Sequence, residues 1–507
     1  MPLSRRDFVH RSAITGAGVA LAGAVDVLAT APGALAAEAP AGHGDHHDDD
    51  HGHQHGHQHG HCPELGYGPL IADPAGLLAL PAGFAYRIVT RTGTTTLDSG
   101  ETTPSNHDGT AAFAGERGAT LLVNNHEIGG PLTAAAHPVP HVAGLVYDPA
   151  AAGGCTVVEV PRHWRGDEAG RGKGHAEPVT EWVGIAGTAT NCAGGATPWG
   201  TWLTCEETED RAGSNGMTKD HGYVFEVDPH DRRANRDPKP LKALGRYAHE
   251  AVVVDPKRGH LYLTEDAAGP NGLLYRWTPP HGFHHGRGRL ATLGDTDGVL
   301  QAFRCFDSGG RFVDDLSRAT KIGTRYGVDW VDVQDRDAKT TSVRKQFTEG
   351  QVTRARKLEG MWWADGGTYV VSSFARAESP VQHDGAVWFY DPSRRTLTLK
   401  VLLGVNATPE QDGPFDGPDN ITVSPYGGLI IAEDGVGVQH LFGALDDGRT
   451  YPLARNELNI GTEEEPEYSE FTGVTFSPDG DTLFANIQTP GIMVAVTGPW
   501  RRQTARR

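Results

Sequence analysis

The sequence has little methionine (4 residues), few cysteines (5), little positive charge and, past its N-terminus, no long apolar run. Each shortage excludes something. Four methionines against 67 glycines and 33 prolines exclude a bundle of long helices and predict a chain that reverses often, an all-β protein. The five cysteines (Cys62, Cys155, Cys192, Cys205 and Cys305) cannot all pair within one chain, so at least one is free, ligated or shared between chains. With 45 Lys and Arg against 64 Asp and Glu, the formal net charge is −19, which argues against nucleic acid and for cations as partners. No later segment is long and apolar enough to serve as a stable membrane anchor.

What is present begins with an address. Ser4-Arg5-Arg6-Asp7-Phe8, an apolar Gly/Ala-rich region from Ala13 to Ala31, and Ala34-Leu35-Ala36 read as a twin-arginine signal peptide over residues 1–36. The mature protein is then expected outside the cytoplasmic membrane, with the twin-arginine export machinery as a partner. That route carries folded proteins, often with a cofactor already loaded. Residues 37–65 form a His/Asp-rich linker; nine of the 25 histidines fall between His43 and His61, mixed with Asp45 and Asp48 to Asp50. Such a tract builds no core, is expected to be disordered and binds divalent metals weakly.

From Gly66 onward one unit recurs: an apolar run, an Asp-Pro or Ser-Pro turn, and a second apolar run. Val252-Val253-Val254-Asp255-Pro256-Lys257-Arg258-Gly259-His260-Leu261-Tyr262-Leu263 is a full copy. Ile421 to Ile431 and Val474 to Phe484 are nearly superimposable, and Leu145 to Pro149, Tyr223 to Pro229 and Val387 to Pro392 are partial copies. Repeated hairpins predict the blades of a β-propeller over residues 66–507, in preference to a sandwich or jelly roll. The charged segment from Lys339 to Lys357 is expected to be helical.

Apolar runs in this chain stop on acids: Glu127, Glu206 and Glu207, Glu250, Glu265 and Asp266, Glu359, Asp419, Glu433 and Asp434, and Glu470. In a propeller such strand ends converge on the central channel. Converging carboxylates are costly to bury unless cations neutralise them, and a carboxylate-rich site suits calcium or manganese. Neighbours on a strand face opposite ways, so which member of each acidic pair points inward stays open. The stretch 190–207, T-N-C-A-G-G-A-T-P-W-G-T-W-L-T-C-E-E, adds the Cys192 thiol, which points to iron or zinc beside the harder ions. Its Gly-Gly pair would let the backbone approach a ligand closely. A Cys192–Cys205 disulfide is the competing account. No convincing Ser/His/Asp set is present.

These motifs resemble the PhoX family of exported alkaline phosphatases. The residues that carry the likeness are N-H-E at 125–127, the 191–207 stretch, H-E at 249–250, E-D at 265–266, G-P-D-N at 417–420, E-D-G at 433–435 and E-F-T-G-V-T-F-S-P-D-G-D-T-L-F-A-N-I-Q-T-P-G at 470–491. The resemblance implies a monomeric, six-bladed β-propeller that hydrolyses small phosphomonoesters with Ca2+ and Fe3+, using a metal-bound oxide or hydroxide as nucleophile. It implies that Cys192 ligates iron and that Glu206, Glu265 and Glu359 ligate metal. Asp419, Asp434 and Glu470 are further candidates, and the acids Glu127, Glu207, Glu250 and Asp266 join them. Cys192, Glu359, Lys357 and His249 are the candidate catalytic residues; His126 is a candidate for substrate contact or support. Where some family members carry Arg-Pro-Glu this chain has Lys357-Leu358-Glu359, replacing a two-pronged phosphate grip with a point charge. The alternative readings are a calcium-dependent propeller lactonase or phosphodiesterase, which needs no thiolate, and a non-enzymatic metal-binding propeller.

Overall fold

The structure, a computed structural model, describes residues 65–165, 178–375 and 379–502. The twin-arginine stretch, the His-rich tract as far as residue 64 and Cys62 lie outside the described residues. Within them the chain forms strands joined by turns and short 3-10 segments, so the fold is all-β. The segment expected to be helical, 339–357, is instead a loop with one 3-10 turn, Val343–Gln346. Its cations are drawn to separate partners: Arg344 pairs with Glu209 and Glu265, while Arg354 donates to the Asn271 carbonyl.

The repeated turns explain the repeated hairpins. In the copy at 252–263, Asp255 Oδ1 accepts from the amides of Lys257 and Arg258 at 2.9 and 3.0 Å. Gly259 takes the left-handed conformation (φ 71°) that reverses the chain. Asp391 does the same for Ser393 and Arg394, at 2.8 and 3.1 Å. The partial copy at Leu145–Pro149 forms no hairpin. Asp148 is taken up by Thr218, Lys219 and His221, so this segment runs as a loop beside Thr180–Thr188.

The arrangement is propeller-like. Successive strands pair into sheets, such as His107–Ala114, Thr120–His126, Gly153–Val160 and Thr180–Thr188. Their first strands pack side by side in a closed ring: His107–Ala114, Asn191–Ala196, His249–Val254, Leu358–Ala364, Pro418–Val423 and Phe471–Phe476. The last sheet is completed by an early strand, Ala85–Arg91, which pairs with Ile492–Thr497 and joins the two ends of the ring. Between sheets lie fully buried side chains such as Leu203, Val252 and Leu263, each stabilising the packed state by ~1.5–3 kcal/mol. The Gly-Gly pair serves this packing. A Cβ on Gly195 would fall 1.6 Å from the Val252 carbonyl oxygen, and one on Gly194 would fall 2.2 Å from that of Leu203.

Candidate metal centre and active site

The six ring strands begin alike. His107, Asn191, His249, Leu358, Pro418 and Phe471 pair with His126, Glu206, Glu265, Ser372, Glu433 and Ile487, the last residues of the strands that follow. In five strands the register then slips; in the sixth it slips one residue later, after Thr472 pairs with Asn486. A bulge of this kind bends the strand and re-aims the side chains beside it. The re-aimed residues are Asp108, Cys192, Glu250, Glu359 and Asp419, one per strand; the sixth strand has Thr472 there, and Glu470 precedes it. The residue just past each paired strand supplies a second tier: Glu127, Glu207, Asp266 and Asp434, with Ser373 and Gln488 in the corresponding places.

These side chains meet. Ligand atoms of Glu127, Cys192 and Glu207 lie within 4.8 Å of one another, as do those of Glu250, Glu359 and Asp419, and those of Asp419, Asp434 and Glu470. The Cys192 thiol donates to Glu250 Oε1 at 3.2 Å and lies 3.8 Å from Asp108 Oδ1. Gln488 Nε2 bridges Asp108 Oδ2 and Glu127 Oε2 at 3.2 and 2.5 Å. Lys357 Nζ lies 3.1 Å from Glu359 and 3.6 Å from Asp266; with its side chain 40 % exposed, it faces the open side of the ring.

Burial and crowding set the protonation of this bare ring. Burial, then repulsion from Glu207, Asp419, Glu359 and Asp108, pushes the Glu250 carboxyl well above the ordinary range. Burial and Asp266 do the same to Glu359, against the pull of Lys357. The Cys192 thiol is raised by burial and then by Asp108, Glu250, Glu127 and Glu207. For Lys357 burial works downward, but Glu359 and Asp266 outweigh it and hold the amine protonated. The donor set fits cations. Carboxylate oxygens grouped this closely suit hard divalent ions, the thiol adds a softer ligand, and positive charge placed among them would offset the repulsion that adds to burial in raising Glu250 and Glu359.

The first member of each acidic pair is turned away from this ring. Glu206 is fully buried and spent on the blade: it accepts from Ala189 N, His221 Nδ1, Gly222 N and Tyr223 N at 3.0, 2.6, 2.9 and 3.0 Å. Glu265 accepts from Arg344 Nη1 at 3.0 Å and from the Tyr275 hydroxyl at 2.6 Å. Glu433 takes His440 Nδ1 and two backbone amides. Strand alternation explains the split, since the last strand residue faces the blade interior and the next faces the channel. His249 is likewise enclosed. It stacks on Tyr247 with ring centroids 3.7 Å apart and donates from Nε2 to the Gly245 carbonyl, and burial lowers its pKa to about 3. His126 bonds Ser105 O and Thr156 Oγ1 within its own blade. The expected catalytic or contact roles of His249 and His126, and the ligand roles of Glu206 and Glu265, therefore have no geometry behind them. Cys155, Cys192, Cys205 and Cys305 are free and buried, so the Cys192–Cys205 disulfide is not formed.

Asp108 and Gln488 are the site residues that sequence reasoning missed. A signal for Asp108 was available: N-H-D at 106–108 repeats the N-H-E of 125–127. The split within the pairs gives a sharp expectation. Glu206→Gln should cost about 3–5 kcal/mol of stability, because it breaks a buried pair with His221, while leaving metal content intact. Glu207→Gln should lose metal and lower stability only as far as the lost ion supplied it. Thermal melts and elemental analysis of the two variants check this.

Fold and site define a class: a β-propeller carrying candidate metal groups at one end of its channel. The chain belongs to the alkaline phosphatase PhoX family, whose sequence profile matches residues 65–491, and it is a metal-dependent phosphoester hydrolase of the alkaline phosphatase type. Among solved structures it is similar to PhoX of Pseudomonas fluorescens in complex with vanadate, a transition state analogue, at 18 % identity over 86 % of this chain and 98 % of that chain, with a TM-score of 0.60. XC5397 from Xanthomonas campestris, a gluconolactonase, is similar at 12 % identity over 86 % of this chain and 100 % of that chain, with a TM-score of 0.39. Comparison with curated protein sequences gives no match.

Proposed function

We propose that the protein is a secreted, monomeric phosphomonoesterase of six blades. The six bulged strands and their closed ring support that blade count, with the ten-stranded sheet counted as two blades. We assign 66–507 as the catalytic propeller, 1–36 as a twin-arginine signal and 37–65 as a His-rich linker. No helix among the described residues is long and apolar enough to cross a membrane.

The observation that carries the functional reading is the convergence of three cation-sized ligand groups on one spot that also holds Lys357. We assign calcium to the carboxylate groups Glu250–Glu359–Asp419 and Asp419–Asp434–Glu470. Iron goes to the group that includes the soft ligand Cys192, with Glu127 and Glu207. Asp108 and Asp266 flank these groups. When bound, the cations attract phosphoryl oxygens and activate the attacking oxygen. The chain's own residues do the rest. The bulges fix the ligands before substrate arrives, so little reorganisation is needed during reaction. Cys192, whose thiol is raised by burial and neighbouring acids, must give up its proton on ligation, which makes iron loading pH-dependent. Lys357, on the open side, offers a point charge to the phosphate of the substrate.

A hydrogen bond to a charged group contributes ~1.5–3 kcal/mol, so Lys357→Met should raise KM about tenfold or more, and more than it lowers kcat. Lys357→Arg should bind phosphate at least as well as the native residue, through its fork. The direct test of the function is turnover of p-nitrophenyl phosphate by protein supplied with calcium and iron. Absence of turnover by metal-replete protein would overturn the reading.

A further inference from the structure

The bulges that aim the ligands do not hold themselves. A bulge leaves backbone groups unpaired within its own ladder, and here side chains of neighbouring strands take them up. Asn125 lies in Thr120–His126, in the sheet next to the one that carries Cys192. Its Nδ2 donates to the Cys192 carbonyl at 2.7 Å and to that of Ala193 at 2.8 Å. Its Oδ1 accepts from Trp202 Nε1 at 2.9 Å and from the Cys155 thiol at 3.0 Å, so the amide is fixed from both ends and fully buried. Thr264 plays the same part on the other side of the ring. Its hydroxyl accepts from the Ala251 amide, next to Glu250, at 3.0 Å and donates to the Glu359 carbonyl at 2.9 Å. One hydroxyl thus ties together the two bulges that supply Glu250 and Glu359. The polar side-chain atoms of both residues are taken up by these partners.

We infer that Asn125 and Thr264 are positioning residues. Asn125 acts through the Cys192 bulge on the thiol-containing group, and Thr264 acts through the Glu250 and Glu359 bulges on the group Glu250–Glu359–Asp419. Each hold is local, so each should govern one group and leave the other alone. Outer partners of metal ligands commonly change affinity by ~10–100-fold when removed.

The inference rests on the metal reading above, and the test separates the two. Chelated full-length protein is titrated with cobalt(II), whose thiolate absorption reports ligation by Cys192, and separately with calcium by calorimetry. Asn125→Leu should weaken the cobalt–thiolate absorption about tenfold and leave calcium affinity at the wild-type value. Thr264→Val, which keeps the side chain's shape, should weaken calcium binding about tenfold and leave the thiolate absorption unchanged. Tyr67→Phe removes the hydrogen bond from the Tyr67 hydroxyl to the Trp500 carbonyl, outside all six ring strands, and should change neither, whatever it does to the melting temperature. The crossed pattern supports the inference. Variants that melt lower yet bind both ions like the wild type, or that lose both ions together, overturn it. If Asn125→Leu does not fold, Thr264→Val decides alone: unaltered calcium affinity overturns the inference. Wild-type protein that takes up neither ion sinks the metal reading itself, and this inference with it.

Discussion

Chelation at pH 8 is expected to abolish phosphomonoester hydrolysis and to lower the melting temperature, with a deficit that widens as pH rises. Glu250 and Glu359 are raised well above the ordinary carboxylate range in the bare ring, first by burial and then by neighbouring acids. An acid whose folded pKa is raised keeps its proton where the unfolded chain has lost it. Its destabilising effect is absent below the unfolded value, near pH ~4.3, and grows above it by ~1.4 kcal/mol per pH unit until the folded pKa is passed. Bound cations remove that effect. A second contribution is common to both forms. Burial works against charging His221 and His440, but their carboxylate partners lift each to about 9. Stability from a raised histidine is present below its unfolded value, ~6.5, and is lost as pH climbs through the folded one. Glu181, Glu265 and Asp416, each raised to about 7 chiefly by burial, also lose stability in both forms as pH climbs from ~4.3 to 7. Loaded protein should therefore decline gradually from pH 5 to 9, and chelated protein should decline more steeply over the same range. Calorimetric melts of both forms across this range provide the check, and a deficit no wider at pH 7 than at pH 5 would refute the repulsion argument.

Cys192→Ser is expected to reduce kcat/KM for p-nitrophenyl phosphate by at least ~100-fold, with loss of the transition metal and retention of calcium. The thiol sits with Glu127 and Glu207, whereas the two other candidate groups contain carboxylates alone. A serine hydroxyl is a poor replacement for a thiolate toward iron, and it leaves the harder groups untouched. The same variant separates the phosphatase from a calcium-dependent lactonase or phosphodiesterase, whose chemistry would survive with calcium alone. Elemental analysis and initial rates, measured on one preparation, supply both readouts.

Much of the fold and part of the site were legible in the sequence, for identifiable reasons. The Asp-Pro and Ser-Pro hairpins were visible because an aspartate that caps its own turn is a local device, as Asp255 and Asp391 show. The convergence of Cys192, Glu359 and Asp419 was visible because acids repeatedly ended apolar runs. Which acid of each pair faces the channel was not. That depends on where a strand stops and a bulge starts, and pairing between strands decides it. Glu206 and Glu265 looked like ligands in sequence, yet each is the last residue of its strand and is claimed by a basic residue on a neighbouring loop, His221 and Arg344. The packing role of the glycines in N-C-A-G-G was hidden for the same reason: they admit the backbone of neighbouring strands, at Leu203 and Val252. Asp108 escaped because its run, His107–Ala114, is made of small residues and gave little strand signal.

The central claim is that this ring of buried acids is stable because cations sit among its members. Anomalous scattering from crystals of protein purified without chelator tests it most directly. The account predicts peaks within reach of Glu127, Cys192 and Glu207, of Glu250, Glu359 and Asp419, and of Asp419, Asp434 and Glu470. A well-ordered ring that holds only water, in protein that still hydrolyses phosphomonoesters, would contradict it.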